Sequence, residues 1–195
     1  MLRNNNAIII ILLVAAFFFF SKEVCLAADY SWLEDAGWKV VESKHCTILL
    51  HPEVNMKKVN ARIRIRFYSL DKSTFSSQEK TVEEQLAEKI DRIFKKVERV
   101  LDMYPDRMRL NLKVFKTQAQ LDEEYAKIFG ESDGTLRISY YIHKHSTIFT
   151  TEQAIREGVL AHEMGHAISD HYFLVKPAEK IKELLAQYAE IHLEE

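Results

Sequence analysis

The order of apolar patterns along residues 29–195 constrains the fold of this chain most strongly. Residues 40–50 are rich in apolar and β-branched side chains, and residues 59–67 alternate strictly between apolar and polar, so both segments are predicted strands. The later patterns predict, in chain order, a helix over 81–103, a strand over 108–115, a helix over 117–129, a hairpin of strands over 136–143 and 147–150, and helices over 150–175 and 177–193. The order β-β-α-β-α-β-β-α-α predicts an α+β fold, in which a mixed sheet is backed by helices within one small domain.

Local signals mark the ends of several predicted helices. Thr117-Gln118-Ala119-Gln120 has the capping-box pattern, and Gly130 suits the C-terminal end of the helix that follows. Thr150-Thr151-Glu152-Gln153 repeats the capping-box pattern and predicts the start of the next helix. Pro177 is predicted to be the first residue of the last helix, a position that favours proline.

Residues 1–28 have the pattern of a secretory signal peptide. Residues 7–20 form an apolar run of 14 residues, whereas a membrane-spanning helix needs about 20. Ala27 and Ala28 provide a small-residue cleavage region. We therefore expect a signal peptide over 1–28 and an exported domain over 29–195, either secreted or in the periplasm or cell envelope. The alternative is an uncleaved N-terminal anchor, which would be the only membrane attachment expected of the chain.

Charge and cysteine content narrow the functional classes. Without residues 1–28 the chain has 25 basic and 28 acidic side chains, a balance that does not indicate nucleic-acid binding. Cys46 would then be the single cysteine, so an internal disulfide is impossible. Its apolar neighbours predict a buried, inert thiol. The sequence leaves the oligomeric state open.

A row of arginines follows the polar side of the strand predicted over residues 59–67. Its members are Arg62, Arg64 and Arg66. The expected role of this row is a solvated outer face, and contact with an acidic partner is the alternative.

The segment His162-Glu163-Met164-Gly165-His166 carries the most specific chemistry in the chain. Two histidines four residues apart lie on one face of a helix, so both imidazoles can bind one zinc ion. Glu163 lies about 100° around the helix from His162, within reach of a water on that ion. Zinc lowers the pKa of such a water to about 7, and a carboxylate can take its proton and pass it to a leaving amine. The competing interpretation is two hydrogen-bonded histidines with no metal.

Residues 157–167 resemble the active-site helix of the zincin metallopeptidases. The resemblance implies that His162 and His166 bind zinc and that Glu163 is the general base. The metzincin extension of the motif is absent, because Ser169 and Tyr172 stand at its glycine and last histidine positions.

The third zinc ligand is expected on the next helix. Lys182-Glu183-Leu184-Leu185-Ala186-Gln187-Tyr188 resembles the gluzincin segment in which a glutamate is that ligand, although Leu184 stands where glycine is usual. The resemblance implies that Glu183 completes the site, with one zinc per chain. Glu190, two turns further along nearly the same face, is the reserve candidate.

Other polar residues near the motif have two interpretations each. Asp170, one turn past His166, either orients a ligand histidine or is solvated. Tyr172, Tyr188 and His171 either stabilise an oxyanion or pack against the fold. His143 and His145 are expected to be exposed in a turn.

These observations predict an exported zinc-dependent metallopeptidase with a shallow, open cleft. Zincins usually hold their substrate along a strand just before the active-site helix, and Thr147-Ile148-Phe149-Thr150 occupies that place. We expect this strand to have a free edge that holds a peptide by main-chain hydrogen bonds. The expected partner is therefore a peptide or protein. One alternative is an inactive zincin-fold module that holds metal or binds a partner, and another is a zinc amidase acting on a non-peptide envelope substrate.

Overall fold

The computed structural model describes residues 37–65, 80–130 and 135–194, which fall within the compact unit Gly37–Glu195. The signal peptide predicted over residues 1–28 lies outside the described residues. Cys46 is fully buried, and burial raises the pKa of its thiol, in agreement with the inert thiol expected from the sequence.

Five strands form one mixed sheet. They are β1 (Lys39–Glu42), β2 (Cys46–Leu50), β3 (Leu110–Phe115), β4 (Ser139–Ile142) and β5 (Thr147–Thr151). The strand order is β1-β2-β3-β5-β4. The two central pairings, β2 with β3 and β3 with β5, are parallel, and the outer strands β1 and β4 pair antiparallel with their neighbours. This sheet and its helices confirm the predicted α+β class.

Five helices accompany the sheet in the described residues. They are α1 (Met56–Arg62), α2 (Val82–Leu101), α3 (Gln118–Phe129), α4 (Glu157–Tyr172) and α5 (Glu179–Ile191). One face of the sheet shares a hydrophobic core with α2 and α4, and this core includes Ile48, Leu112, Ile148, Ile90, Phe94, Leu160 and Met164. Within the described residues, no helix combines the length and apolarity needed to span a bilayer.

The opposite face of the sheet packs near α3. Lys113 of β3 is buried there, with its ammonium 2.8 Å from the Glu124 carboxylate of α3. Phe149 of β5 stacks on Tyr140 of β4 on the same side. Because both faces of the sheet are covered, every residue of β2 and of β5 is buried.

The strand predicted over residues 59–67 is wrong for residues 59–65, and residues 66 and 67 lie outside the described residues. Residues 56–62 form helix α1, and the Asn55 side chain caps its start by accepting a hydrogen bond from the Lys58 N–H. Val59 and Ile63, four residues apart, are buried, whereas Ala61 is exposed. The apolar residues at positions 59 and 63 fit a helix as well as a strand, and the Asn55 cap favours the helix.

Further boundaries differ from the prediction. The last helix begins at Glu179 rather than at Pro177. Residues 40–50 form two strands, because Asp91 of α2 accepts hydrogen bonds from the Ser43 hydroxyl and the main-chain N–H groups of Lys44 and His45, which fixes a turn between β1 and β2. The helix predicted to start at residue 150 starts at Glu157 instead, because Thr150 and Thr151 are buried in β5.

Candidate metal centre

Helix α4 presents the two motif histidines on one face. Its Leu160, Met164 and Ile168 are buried in the core. The histidines are only partly buried, each with a side chain 22 % exposed. The helix is thus anchored on its apolar side, while both imidazoles remain open to solvent and to α5.

Helix α5 approaches α4 closely through small residues. A Cβ atom added at Gly165 would lie 2.9 Å from the Ala186 Cα and 3.3 Å from the Ala189 Cβ, which is too close for any side chain at that position. Because Gly165 has no side chain, the main chains of α4 and α5 can approach closely at Ala186, one turn away from Glu183. This contact fixes how far Glu183 lies from the histidines.

His162, His166 and Glu183 converge. The two Nε2 atoms are 3.2 Å apart, His162 Nε2 is 3.7 Å from Glu183 Oε1, and His166 Nε2 is 3.4 Å from Glu183 Oε2. Ligand atoms at ordinary zinc distances in a tetrahedral site are about 3.3 Å apart. Two imidazole nitrogens and one carboxylate oxygen also match the donors of catalytic zinc sites. The spacing and the chemistry of these three residues therefore fit one zinc ion.

Burial favours the metal-binding form of His166. Burial and the neighbouring His162 lower the pKa of the His166 imidazole, against the opposing effect of Glu183. The neutral ring that results has a free lone pair, which is the form that binds metals.

Glu190 contacts His162 from the far side. Its Oε2 is 3.2 Å from His162 Nδ1, while His162 Nε2 faces the other two donors. A carboxylate at Nδ1 holds the proton on that nitrogen, which leaves Nε2 free for a metal. The structure therefore places Glu190, the reserve candidate, behind His162 rather than among the three converging donors.

We expect Glu190→Ala to weaken zinc binding about 10- to 100-fold, because such an outer carboxylate orients and polarises its histidine. Competition with a fluorescent zinc chelator measures this affinity. Glu123→Ala, on the exposed face of α3, is the control and should leave the affinity unchanged. Equal affinities in both variants would contradict the role given to Glu190.

Gly165→Ala should lower the free energy of unfolding by about 1–3 kcal/mol, because the added methyl group meets main chain that cannot move aside cheaply. It should also weaken zinc binding by pushing Glu183 away from the histidines. Urea unfolding and the chelator titration measure the two effects. Gly158→Ala is the matched control for the unfolding measurement alone, because its Cβ would meet only the Glu190 side chain at 3.5 Å, an ordinary contact. A stable Gly165→Ala variant with unchanged zinc affinity would show that the close helix contact is dispensable.

Glu163 lies beside the three converging donors and is buried, with 6 % of its surface exposed. Burial raises the pKa of its carboxyl to about 7, and the negative charges of Glu183 and Glu190 add to this effect. The Ser139 hydroxyl of β4 lies close enough to favour the ionised form, although the pair falls short of ordinary hydrogen-bond geometry. A carboxyl with a pKa near neutrality suits proton transfer.

Asp170 links three elements at one end of this site. Its buried carboxylate is 3.7 Å from the Lys182 ammonium of α5 and 3.6 Å from Nδ1 of His143, which follows β4. Lys182 directly precedes Glu183, so the pair ties α5 to α4 next to the third donor. Asp170 is thus not solvated, and among the described contacts it has no hydrogen bond to His162 or His166.

The remaining sequence candidates lie around the rim. His171 contacts the Ser146 hydroxyl through Nε2 at 3.2 Å and the Ala167 carbonyl through Nδ1 at 2.8 Å. Tyr172 is about half exposed, and Tyr188, equally exposed, stacks on His192. His143 is exposed and His145 half-buried in a short 3₁₀ turn between β4 and β5. No described contact joins these side chains to Glu163.

The free strand edge predicted for Thr147-Ile148-Phe149-Thr150 is wrong. β5 pairs with β3 on one side and with β4 on the other, so both of its edges are occupied. Among the described residues, the edge on this side of the sheet belongs to β4, whose Ser139 lies near Glu163.

Sequence reasoning missed the contact between Glu190 and His162 and the pair Asp170–Lys182. The sequence did contain a signal for the first, because Glu190 follows Glu183 by seven residues on the same helical face. Comparison of the chain with protein-family models, curated proteins and solved structures finds no match.

Proposed function

We propose that this chain is a zinc-dependent hydrolase of the zincin type that cleaves peptide bonds outside the cytoplasm. His162, His166 and Glu183 would hold one zinc ion per chain, and Glu163 would be the general base. The observation that supports this most directly is the convergence of three donor atoms, all within 4.8 Å of one another, beside a buried fourth carboxylate.

Each residue has a distinct task in the proposed reaction. Zinc, when bound, would supply Lewis-acid polarisation of the substrate carbonyl and acidify the attacking water. Glu163 accepts the proton of that water and delivers it to the leaving nitrogen. Glu190 holds the tautomer of His162, and the Asp170–Lys182 pair holds Glu183 in reach. Metal retention alone does not require a carboxylate at position 163, so its presence favours a hydrolase over a metal-holding module.

The edge of β4 supports a peptide as the substrate. An extended peptide can add to an open strand edge by main-chain hydrogen bonds. A peptide bound to β4 next to Ser139 passes close to Glu163. The site is also open, since the Glu183 side chain is 47 % exposed. An extended or flexible chain suits this geometry better than a small, fully enclosed molecule.

Metal analysis and a peptide-cleavage assay on the same preparations test the proposal. The parent chain should contain about one zinc per chain and should cleave an unstructured peptide library, and dialysis against a chelator should abolish cleavage until zinc is restored. Glu183→Gln should lose both zinc and cleavage, whereas Glu123→Gln, on the exposed face of α3, should keep both. A parent chain that binds no zinc, or zinc-loaded chain that cleaves no peptide, would refute the assignment.

A further inference from the structure

A cavity lies at the opposite end of α4 from Asp170. It has a volume of about 610 Å³ and is open to solvent. The cavity is lined by helix α1, by the residues that follow it and by the connection from β5 to α4. The charged residues of this lining are Lys58, Arg62, Arg64, Arg156 and Glu157. Arg156 precedes His162 by six residues, about 9 Å along a helix axis. The cavity is therefore separate from the metal centre but joined to it by a single helix.

The lining of this cavity is strongly basic. Four cations face one carboxylate, in a chain whose net charge is −2. Glu157 is already engaged, because its Oε2 accepts the main-chain N–H of Arg64 at 3.1 Å. Arg62 donates to the Gln153 carbonyl at 3.1 Å. In the part of the chain that the structure describes, the guanidinium groups of Arg64 and Arg156 have no hydrogen-bond or ion-pair partner.

The arrangement is costly without a ligand. Like charges gathered in one concave surface repel each other, and a concave basic surface concentrates anions. Arginine presents a planar fork of N–H donors that matches the oxygen atoms of phosphate. The cavity volume lies within the range of small-molecule sites, about 300–1,000 Å³, and exceeds what one inorganic phosphate needs.

The start of α4 adds to the attraction. The helix begins at Glu157, directly beside Arg156, and no described side chain caps its first turn. Uncapped N–H groups at a helix start favour anions. This contribution accompanies the four cations and would not define a site without them.

We propose that this cavity binds an anionic ligand with two or more phosphate groups, or a surface that presents several phosphates. The ligand would contact Arg64 and Arg156 and would leave the metal centre free. Arg62 and Arg64 were expected on the solvated face of a strand. In this proposal they line a binding site formed by helix α1 and the residues that follow it.

Calorimetric titration of the chain with pyrophosphate tests the proposal. The double variant Arg64→Ala/Arg156→Ala should bind at least about tenfold more weakly. The charge-matched double variant Lys95→Ala/Arg99→Ala, on the exposed side of α2, should change affinity less than about twofold. Because pyrophosphate also binds zinc, the titration is repeated on His162→Ala, where binding should persist.

Further arms identify the ligand class and its source. Tricarballylate, a tricarboxylate of similar charge, should bind more weakly than pyrophosphate. Cosedimentation with phosphatidylglycerol vesicles, against phosphatidylcholine vesicles, separates a lipid headgroup from a free phosphate compound, and either result supports phosphate recognition. Equal loss in both double variants, equal binding of tricarballylate, loss of binding in His162→Ala, or no binding of either phosphate probe would overturn the proposal. None of these outcomes depends on peptide cleavage, so failure of the phosphate-binding proposal can be told apart from failure of the proposed hydrolase function.

Discussion

Glu163→Gln should lower kcat/KM for peptide cleavage by about 10²- to 10⁴-fold, the range typical of losing a positioned general base. Glutamine preserves the shape of the side chain but cannot accept a proton. Glu163 is not one of the three converging donors, so zinc content should remain that of the parent chain. This combination separates a hydrolase from a module that only holds metal or binds a partner, because such a module would keep its function in the variant.

The pH profile provides a second measurement of the same change. The base must be ionised, so kcat/KM of the parent should fall as pH drops through the pKa of Glu163. Burial raises that pKa to about 7 in the metal-free chain, and a nearby cation lowers it again. The acidic limb should therefore lie below pH 7 in the zinc-loaded chain and should vanish in Glu163→Gln. Glu123→Gln, on the exposed face of α3, is the control and should retain the parental limb. An unchanged profile in Glu163→Gln would assign the base to another residue.

His162→Ala should lower zinc affinity by more than about 10³-fold, because it removes one of the three proposed protein donors. The change is also visible in stability. A ligand at about 1,000 times its Kd adds about 4 kcal/mol to the free energy of unfolding, so zinc should raise the melting temperature of the parent chain but not of the variant.

The control for His162→Ala is His192→Ala at the end of α5. His192 bonds the Tyr188 carbonyl through Nδ1 and lies outside the converging set. Its removal should leave both zinc affinity and zinc-dependent melting unchanged. If His162→Ala still bound zinc at the parental affinity, the convergence of the three donors would have no functional meaning.

The predictable part of the fold rests on signals that are local in sequence. The capping box at Thr117 and the terminal glycine at Gly130 bound α3 as predicted, and Gly130 has the positive φ of 87° that favours glycine. These signals act within four residues, so no knowledge of the tertiary structure is needed.

The errors arose where tertiary contacts compete with local signals. Residues 150–153 do have the capping-box pattern, yet Thr150 pairs with both β3 and β4, and Thr151 pairs with β3. The edge assignment of β5 failed for a related reason, since strand order depends on pairings between distant residues. No local sequence signal indicates either the pairing of Thr150 and Thr151 or the position of β5 within the sheet.

The candidate site divides in the same way. His162 and His166 share a helix face by spacing alone, and Glu183 was expected because of a resemblance in the next helix. The distances among the three depend on the contact between Gly165 and Ala186, which no spacing rule provides. The same limit applies to Glu190, whose approach to Nδ1 of His162 depends on how α5 crosses α4.

The helical hairpin of α4 and α5 also bears on the order of folding. All three converging donors lie between residues 157 and 191, whereas the pairing of β2 with β3 joins Cys46 to Leu110 across the intervening chain. Short loops close sooner than long ones, and local contacts form before distant ones. A cation that binds these donors would therefore meet them during refolding while the parallel strands are still apart. Such a cation would act as an early template for the collapse of the chain.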